Sequence, residues 1–365
     1  MDTATGNRVI DSCPAVSFLP TVAILEMTYA CNHSCLFCSC PWEASKSNGF
    51  VPTAELSVDE WKTVIDILCA RGVTDLSFTG GEALLYKGLF EIIEYAATKT
   101  TTYIETKNGR LVREEKPPRL YLLSNGTSVT REILEFLRSH NVQLSMSLPG
   151  LTTLTEHTRA GSPDAILEKF RMAHEMGMHT VVNVTATKKN LHELYHTIAA
   201  AFLAGAQQLL INRFLPGGRG LSYERELLLN REEVVQMLDT AEEALTDAGR
   251  FGSVGTELPK CLVGEGKYKR LNIGTRCSAA LGFFVIGPEG FVRVCNHSEK
   301  KLVHFRDIDQ LLEHPYWQRF VFKDYLPKAC AACPQVGDCD GGCREAAHIC
   351  GGAVDSPDPL MVAAE

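Results

Sequence analysis

The stretch Cys31-Asn32-His33-Ser34-Cys35-Leu36-Phe37-Cys38 follows directly after an apolar run at residues 22–27. Three thiolates at this spacing can hold three corners of a four-iron, four-sulfur cluster and leave the fourth iron without a protein ligand. A structural zinc site would need a fourth nearby ligand, for which His33 and Cys40 are the only local candidates. The stretch therefore indicates an iron-sulfur cluster with one open iron, and zinc is the alternative.

The composition limits the location and the partners of the chain. It has 365 residues, of which 45% are hydrophobic and 22% charged, with a net charge of -8. With this net negative charge the protein has no overall positive electrostatic potential to attract nucleic acid, so no nucleic-acid partner is expected. No secretory leader and no apolar run of the roughly 18 residues of a membrane span is seen, so we expect a cytoplasmic protein without a membrane partner. Fourteen cysteines in such a chain point to metal binding or redox chemistry.

The order of apolar runs predicts an α/β fold. Apolar, β-rich runs alternate with capped amphipathic helices, which is typical of repeated β/α units around a parallel sheet. Six strands are predicted, at residues 22–28, 75–79, 119–124, 143–147, 180–185 and 208–214. We therefore expect an N-terminal segment at 1–21, a partial (β/α)6 TIM-like barrel at 22–250 with an inserted hairpin at 101–116, and a cysteine-rich domain at 251–365.

Polar residues follow the predicted strands at their C-terminal ends, where parallel barrels bind ligands. The candidates from successive strand ends are Gly80, Gly81, Glu82, Ser124, Asn125, Ser147 and Asn183. Arg159, in a loop beyond the fourth strand, could pair a carboxylate or be a solvated loop arginine. Because polar groups from several strands would meet at one rim, the sequence predicts a single site there.

These motifs resemble those of the radical S-adenosylmethionine enzymes. Their C-x3-C-x-aromatic-C loop is matched by Cys31, Cys35, Phe37 and Cys38, and their Gly-Gly-Glu motif by residues 80–82. The resemblance implies that the open iron binds the amino and carboxylate groups of S-adenosylmethionine and that Phe37 packs near the adenine. The rim residues named above would supply the other contacts. An electron, from a donor such as flavodoxin or ferredoxin, would then release a 5'-deoxyadenosyl radical that abstracts a substrate hydrogen.

The second half of the chain resembles the SPASM extension, which a subset of those enzymes carries. From residue 252 onward glycines and cysteines replace the helical periodicity. The resemblance implies two auxiliary iron-sulfur clusters, the first held by Cys277, Cys295, Cys343 and Cys261, the second by Cys330, Cys333, Cys339 and Cys350. The gap before Cys277 is wider than expected, so whether Cys261 is a ligand stays open, and zinc remains an alternative for the C-x2-C pair.

Enzymes with this extension commonly act on polypeptides, so we expect oxidative modification or cross-linking of a ribosomally synthesised peptide. Only thirty residues precede Cys31, so a separate leader-binding protein, or the barrel and hairpin, would hold any leader. No catalytic acid or base is identified.

Two departures from the family pattern bear on the reaction. Sulfatase-maturing members have an aspartate after the cysteine that corresponds to Cys295, whereas this chain has Asn296, which cannot take a proton. Ser or Cys oxidation in a sulfatase therefore ranks below peptide cross-linking. Pro149 replaces the aspartate of the family's Ser-Leu-Asp-Gly motif. Modification of a small molecule, a non-catalytic iron-sulfur electron carrier and a zinc-dependent binding module are interpretations that the sequence leaves open.

Overall fold

The computed structural model describes residues 8–9, 19–41, 54–264 and 266–361. Its strands in chain order are β1 Arg8–Val9, β2 Val22–Glu26, β3 Asp75–Thr79, β4 Thr101–Lys107, β5 Arg110–Lys116, β6 Arg119–Ser124, β7 Val142–Ser147, β8 Thr180–Ala186, β9 Gln208–Arg213, β10 Phe251–Val254, β11 Leu271–Ile273, β12 Phe283–Ile286 and β13 Val292–Arg293. Most of the predicted segment 1–21, including Cys13, lies outside the described residues.

The α-helices mostly connect the strands and cover the sheet. They are α1 Val58–Ala70, α2 Leu89–Ala97, α3 Arg131–Ser139, α4 Leu154–Thr158, α5 Pro163–Glu175, α6 Leu194–Leu203, α7 Glu224–Leu227, α8 Arg231–Ala248, α9 Pro315–Val321 and α10 Arg344–Gly351. Ser57 and Glu60 form a capping box at the start of α1, as do Asn230 and Glu233 at α8. These boxes satisfy backbone N–H groups that a helix start leaves unpaired.

The predicted parallel α/β fold is confirmed. Six strands, β2, β3, β6, β7, β8 and β9, pair in parallel with their neighbours in that order. Their side chains alternate between the helices and the inside of the curved sheet. The buried aliphatic side chains of these strands form one core with the apolar faces of the flanking helices.

The cysteine-rich region extends the same sheet at both ends. Strands β10 and β11 continue it in parallel beyond β9, while β12 pairs in parallel with β2 and β13 pairs antiparallel with β12. Within the described ranges this sheet has ten strands, in the order β11-β10-β9-β8-β7-β6-β3-β2-β12-β13. The sequence patterns described above predict none of these four added strands. Phe284 of β12 packs edge-on against Trp317 of α9, with ring centroids 6.3 Å apart, so the added part shares the central core.

Residues 101–116 form an antiparallel hairpin of β4 and β5, and β1 pairs with β5 as a third strand. Asn108 and Gly109, both with positive φ, make the two-residue turn. Among the described residues, no helix is long and apolar enough to cross a membrane.

Candidate functional site

A cavity of about 450 Å³ opens at the C-terminal ends of the central strands. Its wall contains most of the predicted site residues: Cys31, Cys35, Phe37, Cys38, Gly80, Gly81, Glu82, Ser124, Asn125, Ser147, Asn183, Cys277, Cys295 and Cys343. The predicted residues that do not line it are Arg159, Cys261, Cys330, Cys333, Cys339 and Cys350. The structure therefore brings the first cysteine motif and part of the second into one space.

The cysteine loop at residues 31–38 is fixed by the short helix α4. The N–H of Ser34 donates to the carbonyl of Thr158 at 3.1 Å, and the N–H of Leu36 donates to the carbonyl of His157 at 2.8 Å. The His157 ring is fully buried, with Nε2 2.9 Å from Thr187 Oγ1 and Nδ1 3.1 Å from Thr153 Oγ1. Because burial lowers its pKa, the ring stays neutral near pH 7.

Gly80 and Gly81 allow the end of β3 to lie directly against the chain that enters the cysteine loop. A Cβ atom on Gly80 would lie 2.3 Å from the carbonyl oxygen of Thr28, and one on Gly81 would lie 2.3 Å from that of Ala30. The N–H of Gly81 instead donates to Thr28 O at 2.8 Å. The two glycines therefore permit a backbone contact within the protein while also lining the cavity.

Glu82 joins two of the loops around the cavity. Its buried carboxylate accepts hydrogen bonds from the N–H of Asn125 at 2.7 Å and from that of Leu84 at 3.2 Å. Burial raises its pKa, and these bonds oppose the rise. Ser124 accepts the N–H of Gly126 at 3.0 Å. In this structure both side chains stabilise loop geometry, and both remain at the cavity wall.

The amide side chains of the rim interact with one another. Asn125 Nδ2 donates to Asn32 Oδ1 at 2.7 Å, which ties the loop after β6 to the cysteine loop. Asn212 Nδ2 donates to Asn183 Oδ1 at 3.3 Å, and Thr256 Oγ1 donates to Asn212 Oδ1 at 3.3 Å. Asn125, Asn183, Asn212 and Thr256 thus give the cavity wall a polar part built from several strand ends.

Phe37 and Arg159 occupy different surroundings. The Phe37 ring faces the cavity and lies 5.8 Å from the His157 ring, measured between centroids. Arg159 ends α4 with a left-handed backbone and donates to the Tyr223 hydroxyl at 2.7 Å outside the cavity wall. A carboxylate bound inside the cavity would not reach Arg159 without a side-chain rearrangement.

A glycine-rich loop at residues 217–220, which is not among the predicted site residues, also supports the cysteine motif. Arg219 Nη1 donates to the carbonyl of Cys35 at 3.2 Å, and the N–H of Gly220 donates to the carbonyl of Cys38 at 3.1 Å. A Cβ atom on Gly218 would lie 2.3 Å from Cys40 O. The run Gly217-Gly218-Arg219-Gly220 just after β9 was the available signal, because closely spaced glycines often mark a close backbone approach.

The inner cysteines, defined as Cys277, Cys295 and Cys343, line the same cavity as the first motif. Two buried aspartates accept hydrogen bonds from the backbone of two of these cysteines. The N–H of Cys277 donates to Asp340 Oδ2 at 2.8 Å, and the N–H of Cys343 donates to Asp358 Oδ2 at 2.8 Å. Each carboxylate also pairs with a cation: Lys323 contacts Asp340 at 2.9 Å, and Arg213 contacts Asp358 through two bonds of 3.1 and 2.5 Å.

The outer cysteines, defined as Cys330, Cys333 and Cys339, lie away from the cavity. Cys339 Sγ accepts two backbone N–H groups, from Lys260 and from Gly341, each at 3.3 Å. Burial raises the pKa of Cys330, and the nearby thiols of Cys339, Cys333 and Cys261 raise it further. Cys261 is thus a neighbour of the outer cysteines and is absent from the wall that holds the inner ones.

The first motif has a donor set that fits a multi-iron cluster. Burial, followed by the nearby thiols of Cys38 and Cys31, raises the pKa of Cys35 to about 12, so three thiols lie close together facing one space. Metal binding at such a site would displace the thiol protons.

Comparison with known proteins identifies the first part of the chain. Residues 25–201 match the family model described as the Radical SAM superfamily. The chain is 26% identical to the mycofactocin maturase MftC of Mycolicibacterium smegmatis over 94% of its length and 83% of the relative's. It is 25% identical to the PqqA peptide cyclase of Granulibacter bethesdensis, covering 93% of this chain and 86% of the relative. It is also 26% identical to the AdoMet-dependent heme synthase of Methanosarcina barkeri, covering 95% and 98%.

A solved structure has the same fold. Streptococcus suis SuiB bound to the precursor peptide SuiA superposes with a TM-score of 0.69 over 94% of this chain and 76% of that one, at 13% sequence identity. The shared architecture thus extends past the family match into the cysteine-rich region.

Proposed function

Because this chain contains a Radical SAM domain, we propose that it cleaves S-adenosylmethionine reductively and uses the resulting radical to modify a ribosomally synthesised peptide oxidatively. The observation that carries the proposal is the convergence of Cys31, Cys35, Cys38 and the inner cysteines on one cavity. When bound, the four-iron cluster of this family supplies the electron that splits the carbon–sulfur bond of S-adenosylmethionine. The protein's own residues must then position the reactants.

The cavity wall suggests how S-adenosylmethionine is held. We assign the cluster to Cys31, Cys35 and Cys38, and the adenine contact to Phe37, whose ring already faces the cavity. Ser147, Asn183 and the backbone at residues 80–82 would supply polar contacts from neighbouring strand ends. Arg159 is the least supported contact, because it is bonded to Tyr223 outside the wall.

The second cysteine region would carry two auxiliary iron-sulfur clusters, of which one faces the reaction space. Loss of a hydrogen atom leaves a substrate radical that must lose one further electron and a proton to give an oxidised product. A cluster at the inner cysteines, which line the same cavity, would accept that electron. Flavodoxin or ferredoxin would supply the first electron.

Peptide and small-molecule substrates are both compatible with a cavity of about 450 Å³. A peptide is favoured because relatives named as a maturase and as a peptide cyclase match over nearly the whole chain. A separate leader-binding protein is part of this proposal. The heme synthase, which matches equally well, supports a small-molecule substrate as the second candidate.

The test uses protein reconstituted with iron and sulfide without oxygen. We expect S-adenosylmethionine and dithionite to yield 5'-deoxyadenosine, and a short peptide encoded beside this protein's gene to lose two hydrogen masses on incubation. The matched control is Cys35→Ser, which should abolish both products. Stimulation of 5'-deoxyadenosine release by a purified small metabolite and by no peptide would replace the peptide proposal with the second candidate.

A further inference from the structure

The surroundings of Cys261 and Cys350 indicate which of the two belongs with the outer cysteines. The family resemblance implies Cys261 as a ligand of the first auxiliary cluster and Cys350 as a ligand of the second. Cys261 and Cys350 are both exposed. Cys261 precedes β11 in the chain, and Cys350 lies in the last turn of α10. A four-iron cluster with full protein ligation needs four protein ligands, usually thiolates, and the outer cysteines supply three.

The chain at residues 259–263 is held against the outer cysteines. The backbone N–H of Lys260 donates to Cys339 Sγ at 3.3 Å, and Lys260 Nζ lies 3.6 Å from Asp338 Oδ2. Consecutive Cα atoms are about 3.8 Å apart, so Cys261 is one residue step from an atom that touches a ligand sulfur. Hydrogen bonds from N–H groups to ligand sulfurs are typical of iron-sulfur sites.

Two further contacts fix Cys261 in this position. Arg231 Nη2 donates to the carbonyl of Cys261 at 2.6 Å, and the N–H of Val263 donates to the carbonyl of Lys260 at 3.1 Å to close a turn around it. The facing loop is also fixed, since Thr275 Oγ1 donates to Asp338 O at 2.6 Å. Several independent hydrogen bonds therefore hold the backbone of Cys261 close to the outer cysteines.

Cys350 faces another part of the molecule. Helix α10 begins directly after Cys343, and at about 1.5 Å per residue Cys350 lies roughly 10 Å further along the axis. Its thiol points to Glu224 of α7, with Sγ 4.0 Å from Oε1. A carboxylate neighbour disfavours the thiolate that a metal ligand must provide.

We propose that Cys261, and not Cys350, completes the outer cluster with Cys330, Cys333 and Cys339. The assignment rests on the proposed presence of auxiliary clusters and deepens it. It leaves the inner site with Cys277, Cys295 and Cys343 as its cysteines among the described residues. One ligand from before β11 then joins three from beyond α9, so the outer cluster closes a long loop of the chain.

The first experiment uses the wild-type holoprotein, so that no variant has to fold. Iodoacetamide is added without oxygen, and labelled cysteines are located by peptide mass spectrometry before and after iron removal with a chelator. We expect the labelling of Cys350 to be the same in both states and that of Cys261 to appear only after iron removal. Because both thiols are exposed in the protein without iron, each serves as the other's control. Labelling of Cys261 in the holoprotein, or labelling of Cys350 that increases on iron removal, overturns the assignment.

The second experiment compares Cys261→Ser with Cys350→Ser in a background in which Cys31, Cys35 and Cys38 are serine, so that only auxiliary clusters contribute. We expect Cys261→Ser to lose or shift one of two reduced-cluster signals in electron paramagnetic resonance. Cys350→Ser should keep the parent spectrum and iron content. The reverse result, or an equal change in both variants, refutes the proposal. A parent protein without auxiliary iron would instead refute the auxiliary clusters themselves, which the iron count reveals.

Discussion

Single residues near the cysteine loop set how closely it approaches the sheet. Gly81 illustrates this, because a Cβ atom there would lie 2.3 Å from Ala30 O and 2.8 Å from Tyr29 O. Both obstacles are backbone atoms, so neither can rotate away. The Gly-Gly pair therefore has a packing role that a ligand-binding interpretation of the sequence does not include.

We predict that Gly81→Ala weakens binding of the iron-sulfur cluster proposed at Cys31, Cys35 and Cys38. Relief of the clash must move the chain at residues 28–31, at a cost of about 1–3 kcal/mol in the free energy of unfolding. Iron per chain and the cluster absorbance should fall. Gly264→Ala is the control, since a Cβ atom there meets only Lys267 Cβ at 3.9 Å. Unchanged iron content in Gly81→Ala would show that the loop accommodates the methyl group.

His157 gives the second residue-scale prediction. His157→Ala removes a fully buried ring and its contacts to Thr153 and Thr187, so we expect a loss of about 2–4 kcal/mol above pH 6.5. Burial lowers the pKa of this histidine below its ordinary value of 6.5 in the folded protein. Its stabilisation is therefore present above pH 6.5 and is lost as the pH falls toward the folded-state pKa. Urea unfolding at pH 7.5 and 5.5 should show a smaller difference between wild type and variant at the lower pH.

The sequence motifs predicted well which residues line the cavity. They predicted less well which hydrogen bonds and packing contacts those residues make. Fourteen of the predicted side chains or glycines line it, because strand ends of a parallel sheet meet at one edge. The bonds between Glu82 and the N–H of Asn125, and between Asp358 and the N–H of Cys343, join residues far apart in sequence. Spacing along the chain carries no information about such contacts.

At the scale of elements, the hairpin β4–β5 depends on its turn. Asn108 has φ 53° and Gly109 has φ 74°, and positive φ at both central residues is what a two-residue turn of this type requires. Its flanks are joined by ion pairs, including Lys116 with Glu105 at 3.2 Å. Asn108 and Gly109 are the residue types that adopt this turn most readily, so the sequence favours the predicted hairpin here.

We predict that Gly109→Ala loosens the hairpin by about 1 kcal/mol, because an L-residue is disfavoured in the left-handed region. Nothing lies within 4 Å of the added methyl group, so backbone strain is the only expected effect. Hydrogen exchange of the amides of β4 and β5 should accelerate about fivefold. Iron content should stay unchanged, and its loss would mean that the hairpin supports the cluster site.

Short elements escaped prediction for a physical reason. Helix α4 has five residues and β12 four, so neither spans enough turns or alternations for a periodic pattern. Yet α4 holds the cysteine loop through two carbonyls, and β12 covers the edge of β2. Only the tertiary pairing makes these elements recognisable.

At the scale of the whole molecule, buried ion pairs join the cysteine-rich region to the central strands. Arg213, at the end of β9, pairs with Asp358, and Glu26, at the end of β2, pairs with Arg293 of β13. All four side chains are at most 3% exposed. Removing one member of such a pair leaves the other charge buried and uncompensated.

We predict that Asp358→Asn lowers the free energy of unfolding by about 3–5 kcal/mol, because Arg213 is left without its carboxylate. The N–H of Cys343 also loses a charged acceptor, so the C-terminal region should be cut faster in limited proteolysis. Asp355→Asn is the matched control: its pair with Arg319 is exposed, and its loss should cost under about 1 kcal/mol. Equal unfolding curves for the two variants would contradict this account.

The position of β12 has a consequence for biosynthesis. Residues 22–26 leave the ribosome long before residues 283–286 do, so throughout most of translation the first strand of the nascent sheet has an unpaired edge. Unpaired strand edges promote association between chains. The emerging polypeptide thus has a long interval in which a chaperone, or early metal delivery to the cysteine loop, would protect it from aggregation.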